Sequence, residues 1–280
     1  MASDPLLPGP LWLVGCGHMG AAMLDGWIAA GVDPGHVSVI RPSGRAVGHG
    51  VRVLTEHPED EVPAIVVLAM KPHQLEAAAP ALAPILDPHT LLVSILAGTE
   101  LATLRARFPA PATVVRAMPN LPVRLGKGVV ALFSDGGDVA ARAGITGLMA
   151  SLGHAEWFGD EELFALAGVL TGAGPAFLFR FLQALGEGAA RLGLPGDQAA
   201  RLAAAMVAGA AALAAMPGAD PEALAEQVAS PGGTTAAGLR MLDQDRALAD
   251  LVARTLEASR RRSLEMAAEA RDAASSREES

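Results

Sequence analysis

Gly15, Gly17 and Gly20 stand at G-x-G-x-x-G spacing, directly after the apolar run Leu11-Trp12-Leu13-Val14 and directly before a helical pattern. At such a turn the first glycine permits a sharp bend, the second lets the backbone approach a pyrophosphate, and the third lets helix and strand pack closely. The free N–H groups that open the helix complete an anion site. The spacing therefore predicts a dinucleotide-binding turn. Cys16, between two of these glycines, is read as a small residue filling the turn rather than as a reactive thiol. A second stretch able to do chemistry is Ser230-Pro231-Gly232-Gly233-Thr234-Thr235, which separates two helical stretches and opens the second. It would leave backbone N–H groups and two hydroxyls at a helix N-terminus, a place suited to a carboxylate, although the same residues would also serve as a plain cap.

The nucleotide would be chosen at the end of the second strand, where NAD-binding turns carry an acidic residue about 20 positions beyond the glycines. This chain has Arg41-Pro42-Ser43-Gly44-Arg45 there. A guanidinium and a hydroxyl suit a 2′-phosphate, so NADPH is expected, with NADH possible at lower preference; the alternative is that both arginines are solvated loop charges. Lys71, one of only two lysines, follows a strand whose carboxyl end should face the cofactor, the alternative being a surface lysine.

Positioning these residues takes two kinds of framework. Strands are expected at residues 11–14, 37–40, 51–54, 64–69, 91–95 and 113–116, with a turn away at 117–122 and further strands at 128–133 and 154–158. Helices are expected at 72–86 and 139–151, and Gly31 closes the first helix. From residue 161 the pattern is helical almost to the end, with interruptions at 171–175, 193–196, 217–221 and 230–233. The chain thus divides into an α/β half, residues 1–160, and an all-helical half, residues 161–280. Several helices of the second half are too apolar to stand alone, and a dimer in which they bury one another is expected. Residues 163–185 and 199–216 are read as buried or interface helices rather than membrane spans, because each is interrupted or short of about 20 strongly apolar residues.

Composition narrows the classes. With 280 residues and 51% apolar residues the chain can build ample core. No tyrosine is present, which excludes a reductase that uses a Tyr-x-x-x-Lys pair. The net charge of −9 argues against a nucleic-acid partner, since phosphate neutralisation needs a basic face. The one cysteine cannot form an internal disulfide, no Cys/His spacing suits a metal, and the N-terminus lacks a signal-peptide pattern, so a cytoplasmic setting is expected.

The run Ala229-Ser230-Pro231-Gly232-Gly233-Thr234-Thr235, continued by Gly238-Leu239 and Leu242-Asp243, resembles the C-terminal signature of the pyrroline-5-carboxylate reductase family. Gly15–Gly20, Ala69-Met70-Lys71-Pro72, Ser94–Gly98, Arg116–Pro122 with Gly126-Lys127-Gly128, and Thr171–Phe177 resemble that family in the same order, over residues 11–265. The resemblance implies an N-terminal Rossmann domain with a C-terminal helical dimerisation domain, and reduction of 1-pyrroline-5-carboxylate to L-proline by NADPH. It implies that Thr235 meets the imine nitrogen and that Gly232, Gly233 and Thr234 hold the carboxylate, with Asn120 and Gly174 also at the substrate. Around the cofactor it places Gly15, Cys16, Gly17, His18, Met19 and Gly20, then Arg41 and Ser43, then Ala69, Lys71, Pro72 and Ala97. The partners implied are a small-molecule substrate and a second copy of the chain, with no nucleic acid and no membrane.

Departures from the family pattern leave alternatives. Leu121 replaces a common threonine, His18 a frequent asparagine, and Ala173 and Phe177 each lose a hydroxyl. A paralogue acting on another cyclic imine, or a catalytically silent NADP(H)-binding regulator, would tolerate such changes. A β-hydroxyacid dehydrogenase shares the two-domain plan, but the helix after residue 175 has Arg180 and Arg191 and no lysine.

Overall fold

The computed structural model describes residues 6–58 and 60–278, with side chains described as far as residue 268. Eight short apolar runs form one sheet: β1 (Leu11–Val14), β2 (Val37–Ile40), β3 (Arg52–Leu54), β4 (Ile65–Leu68), β5 (Leu91–Ser94), β6 (Thr113–Pro119), β7 (Gly128–Phe133) and β8 (Gly153–Trp157). Their order is β3-β2-β1-β4-β5-β6-β7-β8. All neighbours are parallel except β6 and β7. Every residue of β1, β2 and β4 is buried, as expected of parallel strands covered on both faces. From β1 the chain builds outward in one direction and then, with β4, in the other. A crevice therefore opens beyond the carboxyl ends of β1 and β4, the usual place for a nucleotide in such sheets.

Alternate residues of each strand feed two cores. Leu11 and Leu13 join Met23 and Trp27 of α1 (His18–Ala29) and Ile145 and Leu148 of α4 (Val139–Ala150). On the opposite face Trp12 and Val14 join Leu75 and Leu82 of α2 (Leu75–Leu82) and Leu101 and Leu104 of α3 (Leu101–Arg107). The indole nitrogen of Trp27 donates to Leu148 O at 3.2 Å, tying α1 to α4.

His57 lies against Trp12 with ring centroids 5.8 Å apart, and its Nε2 is buried with no hydrogen-bond partner. Burial holds this imidazole below its usual value of 6.5. The unfolded chain then takes up the proton more readily than the folded one. Its contribution is complete above about 6.5 and is lost as the pH falls below it, toward the lower folded value. His57→Phe, which keeps a ring on Trp12, is expected to flatten the fall in urea midpoint between about pH 7 and pH 5 relative to the parent chain.

The helical part comprises α5 (Glu161–Arg191), α6 (Gly196–Ala214), α7 (Pro221–Gln227), α8 (Thr234–Asp243) and α9 (Ala247–Glu278). The chain divides into two compact units, Met1–Gly172 with Arg262–Ser280, and Ala173–Arg261, and this division falls inside α5. Within the second unit Ala199 alone is buried, while Phe179, Leu202, Met206 and Leu213 are each more than half exposed. Such a unit has almost no core of its own.

Three expectations are corrected. Residues 171–175 do not interrupt the helix, because α5 runs unbroken through Pro175. As a result α5, with a mean hydropathy of 1.6 in its most apolar stretch, is by length and composition long enough to cross a membrane. Residues 117–119 do not turn away, since β6 continues to Pro119 and pairs with β7 as far as Pro119 opposite Val130. Residues 72–86 are two 3-10 turns flanking α2, with Pro80 inside the helix and Pro84 in the second turn. Helix α3 and the break at Gln244–Arg246, where Asp245 has φ 53°, had no expectation at all.

Candidate functional site

The sheet register sets Val14, Ile40, Leu68 and Ser94 side by side at the strand ends. The residues that follow them therefore share one edge: Gly15, Arg41, Ala69 with Lys71 and Pro72, and the Ile95–Gly98 turn with Ala97. Gly15 has φ +83°, and a β-carbon there would come within 2.6 Å of Met70 N, so only glycine lets the β1 and β4 ends meet. Gly15 N donates to Ile40 O at 2.8 Å and Ala69 N donates to Val14 O at 2.7 Å, which closes the edge. Gly20 serves packing, since a β-carbon there would sit 3.2 Å from the Ala69 side chain.

Gly17 borders open space, and it caps α1 without any side-chain hydrogen bond. The first turn of α1 holds no acidic residue, so its N–H groups are open to an anion. Cys16, His18 and Met19 complete the turn. The Cys16 thiol is pushed up by burial, partly offset by the Arg41 guanidinium nearby and reinforced by Asp25, so it stays protonated and poorly nucleophilic at neutral pH. Arg41 directly follows Ile40, whose register partner is Val14, so it stands beside the glycine turn. Ser43 is exposed in the following loop, where its Oγ accepts from Arg45 N at 3.4 Å. An open helix end, a space where a β-carbon would stand and a neighbouring guanidinium fit a dinucleotide with a 2′-phosphate.

In the second unit α8 opens in the same manner. Gly233 caps it with no side-chain bond, Gly232 has φ +74°, and Gly233 N donates to Ser230 O at 2.9 Å. Thr234 and Thr235 are exposed in a first turn that holds no acidic residue. Gly174, on α5, borders open space. This end can receive a carboxylate and offers two hydroxyls beside it.

Asn120 is buried, and its amide is engaged on both sides. Its Oδ1 accepts from Val129 N at 2.8 Å and its Nδ2 donates to Thr171 O at 3.0 Å. Residue 175 is a proline, which has no N–H to give the carbonyl four residues earlier. Asn120 thus supplies the hydrogen bond that Pro175 cannot, and α5 continues where its sequence predicts a break. Asn120→Ala should cost about 1–3 kcal/mol for each partner left unsatisfied. Pro175→Ala restores the helical donor to Thr171 O, so it is expected to stabilise the Asn120→Ala chain more than the parent, by about 1 kcal/mol or more in urea unfolding.

The sequence marks Arg116 as the end of a strand and the start of the family-like Arg116–Pro122 segment, without indicating a partner for it. It is buried, donates to Glu161 Oε1 at 2.6 Å and holds its guanidinium 4.7 Å from the Phe164 ring centre. Glu161 Oε1 also accepts from Leu101 N at 2.8 Å, so one ion pair fastens the starts of α3 and α5 to β6. No local motif announces a pair 45 residues apart. Among the described residues no group of His, Cys, Asp and Glu is arranged to hold a metal ion.

Two family models match. One, described as pyrroline-5-carboxylate reductase dimerisation, covers residues 161–266, and the other, described as NADP oxidoreductase coenzyme F420-dependent, covers residues 11–98. A pyrroline-5-carboxylate reductase of Pseudomonas aeruginosa is 34% identical over 91% of this chain and 95% of its own length. Pyrroline-5-carboxylate reductase 3 of Bos taurus is 36% identical over 82% of this chain and 77% of its own length. The structure of the Coxiella burnetii pyrroline-5-carboxylate reductase superposes with a TM-score of 0.85 at 29% identity, covering 92% of this chain and 98% of that one. The Plasmodium falciparum pyrroline carboxylate reductase, solved with NADP bound, shares the fold with a TM-score of 0.79 at 23% identity, over 93% and 98% of the two chains.

Proposed function

Since the chain belongs to the pyrroline-5-carboxylate reductase family, we propose that it reduces 1-pyrroline-5-carboxylate to L-proline, with NADPH as hydride donor, as a homodimer or a higher oligomer of dimers. One observation carries the reading: among the described residues two helix N-termini, at Gly17 and at Gly233, are open to anions, each capped by glycine and free of acidic residues in its first turn. The first suits a pyrophosphate and the second the carboxylate of a small imine acid.

NADPH, when bound, supplies the hydride; the chain positions the reactants. The N–H groups at the start of α1 hold the pyrophosphate, and Arg41 and Ser43 receive the 2′-phosphate. Ala69, Lys71, Pro72 and Ala97 line the same edge. In the second unit Gly232 and Thr234 present backbone N–H groups to the carboxylate, Gly233, whose N–H is committed to Ser230 O, shapes the turn between them, and the Thr235 hydroxyl orients the imine nitrogen. Gly174 leaves room at the substrate. Asn120, whose amide is committed to Val129 and Thr171, acts by holding β7 and α5 in place. A cyclic imine is readily protonated near neutral pH and is then a ready hydride acceptor, so orientation supplies much of the rate, up to about 7–11 kcal/mol.

The nearly coreless second unit supports self-association, and the apolar face of α5 finds its place in that contact rather than in a membrane. We place the domain boundary near residue 160, after β8, and the protein in the cytoplasm, where one partly buried thiol suits a reducing setting. The test is NADPH oxidation by the purified protein with 1-pyrroline-5-carboxylate, run beside a six-membered imine carboxylate. Turnover of the five-membered ring supports the proposal; silence there with turnover of the larger ring overturns it and implicates Leu121, Ala173 and Phe177.

A further inference from the structure

Residues 41–51 join β2 to β3 and carry Arg41, Ser43 and Arg45, yet their backbone is lightly held. Arg41 N donates to Leu54 O at 2.9 Å, Gly44 N to Arg41 O at 3.0 Å, and Val51 N to Gly48 O at 3.2 Å. Residues 42–46 are all exposed. Gly44, Gly48 and Gly50 have positive φ, a freedom that would let this loop sample many arrangements.

Two side chains restrain it. Val47 packs against the core on the α1 face of the sheet. His49 reaches back to α1, where its Nε2–H donates to Asp25 Oδ1 at 2.8 Å. The backbone of His49 has φ 56°, between Gly48 at 87° and Gly50 at 70°. A residue with a β-carbon is uncommon in this left-handed region, histidine less so than most, and here the conformation goes with the ring hydrogen bond to Asp25. The anchor is firm: a β-carbon on Gly26, beside Asp25, would come within 2.5 Å of Val123 O, so α1 is packed hard against the turn that follows β6. The other oxygen of Asp25 lies 3.9 Å from Arg124 Nη2, so this carboxylate is shared between two basic groups instead of facing a phosphate alone.

From this geometry we infer that Asp25 and His49 are positioning residues that determine nucleotide specificity: their hydrogen bond pre-organises the loop that reads the 2′-phosphate. The inference rests on the proposal that Arg41 and Ser43 receive that phosphate. A loop ordered before binding meets the phosphate without the entropic cost of being ordered by it. NADH carries a 2′-hydroxyl in place of the phosphate, with no charge for the loop to meet, and gains little from the order. The pair therefore favours one nucleotide over the other while touching neither.

The test is calorimetric titration of the full-length protein with NADP+ and with NAD+, independent of turnover. His49→Gly accepts the left-handed backbone and removes the tie, and Asp25→Ala removes it from the other side. Each is expected to weaken NADP+ by about fivefold or more while NAD+ stays within about twofold. The double variant should bind NADP+ no more weakly than the weaker single, since both remove one interaction. Equal weakening of both nucleotides, unchanged NADP+ affinity, or additive losses would overturn the inference. A parent protein that binds both nucleotides alike overturns the phosphate reading itself, and this failure is distinguishable because it precedes any substitution.

Discussion

Thr235→Ala is expected to lower kcat/KM for 1-pyrroline-5-carboxylate by well over tenfold, toward the roughly 100-fold loss that follows removal of one aligned donor at a reacting centre. The reason is geometric. Thr235 lies in the first turn of α8, exposed, next to N–H groups that no side chain caps. In the proposed arrangement, once the carboxylate is held by those groups, the hydroxyl would fix the ring's rotation about them, and with it the face of the imine bond offered to hydride. NADPH affinity should stay near that of the parent, because the anion sites proposed for the nucleotide are the start of α1 and the Arg41–Ser43 loop, and Thr235 is part of neither. Thr235→Ser, which keeps the hydroxyl, should recover most of the rate. Unchanged turnover in Thr235→Ala would remove this residue from the reaction.

Gly15→Ala is expected to abolish NADPH binding and to melt the protein well below the parent. Two costs add. A left-handed residue with a β-carbon is strained by about 1–3 kcal/mol. The new methyl also meets Met70 N at 2.6 Å and Met70 Cα at 2.7 Å, both backbone, where no side chain can swing aside; overpacking of this kind costs about another 1–3 kcal/mol. Together they claim a large part of an ordinary stability of about 5–15 kcal/mol. Any relief must come from parting the β1 and β4 ends, which are the walls of the nucleotide crevice. Gly17→Ala is the informative contrast, since its β-carbon meets nothing within 4 Å. That variant should keep its melting temperature and lose nucleotide affinity. Equal melting losses in the two variants would show that the turn is not built as described.

The parallel strands were legible because each is a short apolar run bounded by glycine, proline or polar residues, a signal written within a few neighbours. The two errors of consequence have one origin. Met118-Pro119-Asn120 has the composition of a turn, and Gly172-Ala173-Gly174-Pro175 that of a helix break, and each is so by local chemistry alone. Their remedy is mutual and distant: Asn120, at the end of the extended strand, satisfies the carbonyl that Pro175 abandons. Helix α3 escaped because seven residues are too few for a helical period to show. The glycine turn and the Pro-Gly-Gly-Thr-Thr loop could be seen because anion binding needs backbone exposed by residue type and spacing. The role of Thr235 came only through family resemblance, for a threonine after a glycine pair is equally a cap. Arg116 with Glu161, and Asp25 with His49, act across 45 and 24 residues, and no spacing rule connects them.

The bond between Asn120 and Thr171 also constrains how this chain can change over time. Proline at 175 is tolerable only while a donor stands at 120, and once the proline is gone the amide at 120 answers Val129 N alone. A lineage that first exchanges Pro175 for a residue with an N–H then loses one hydrogen bond on altering Asn120, whereas one that alters Asn120 first loses two and passes through a helix with an unanswered carbonyl. The two positions, 55 residues apart, are thus easier to change in one order than in the other.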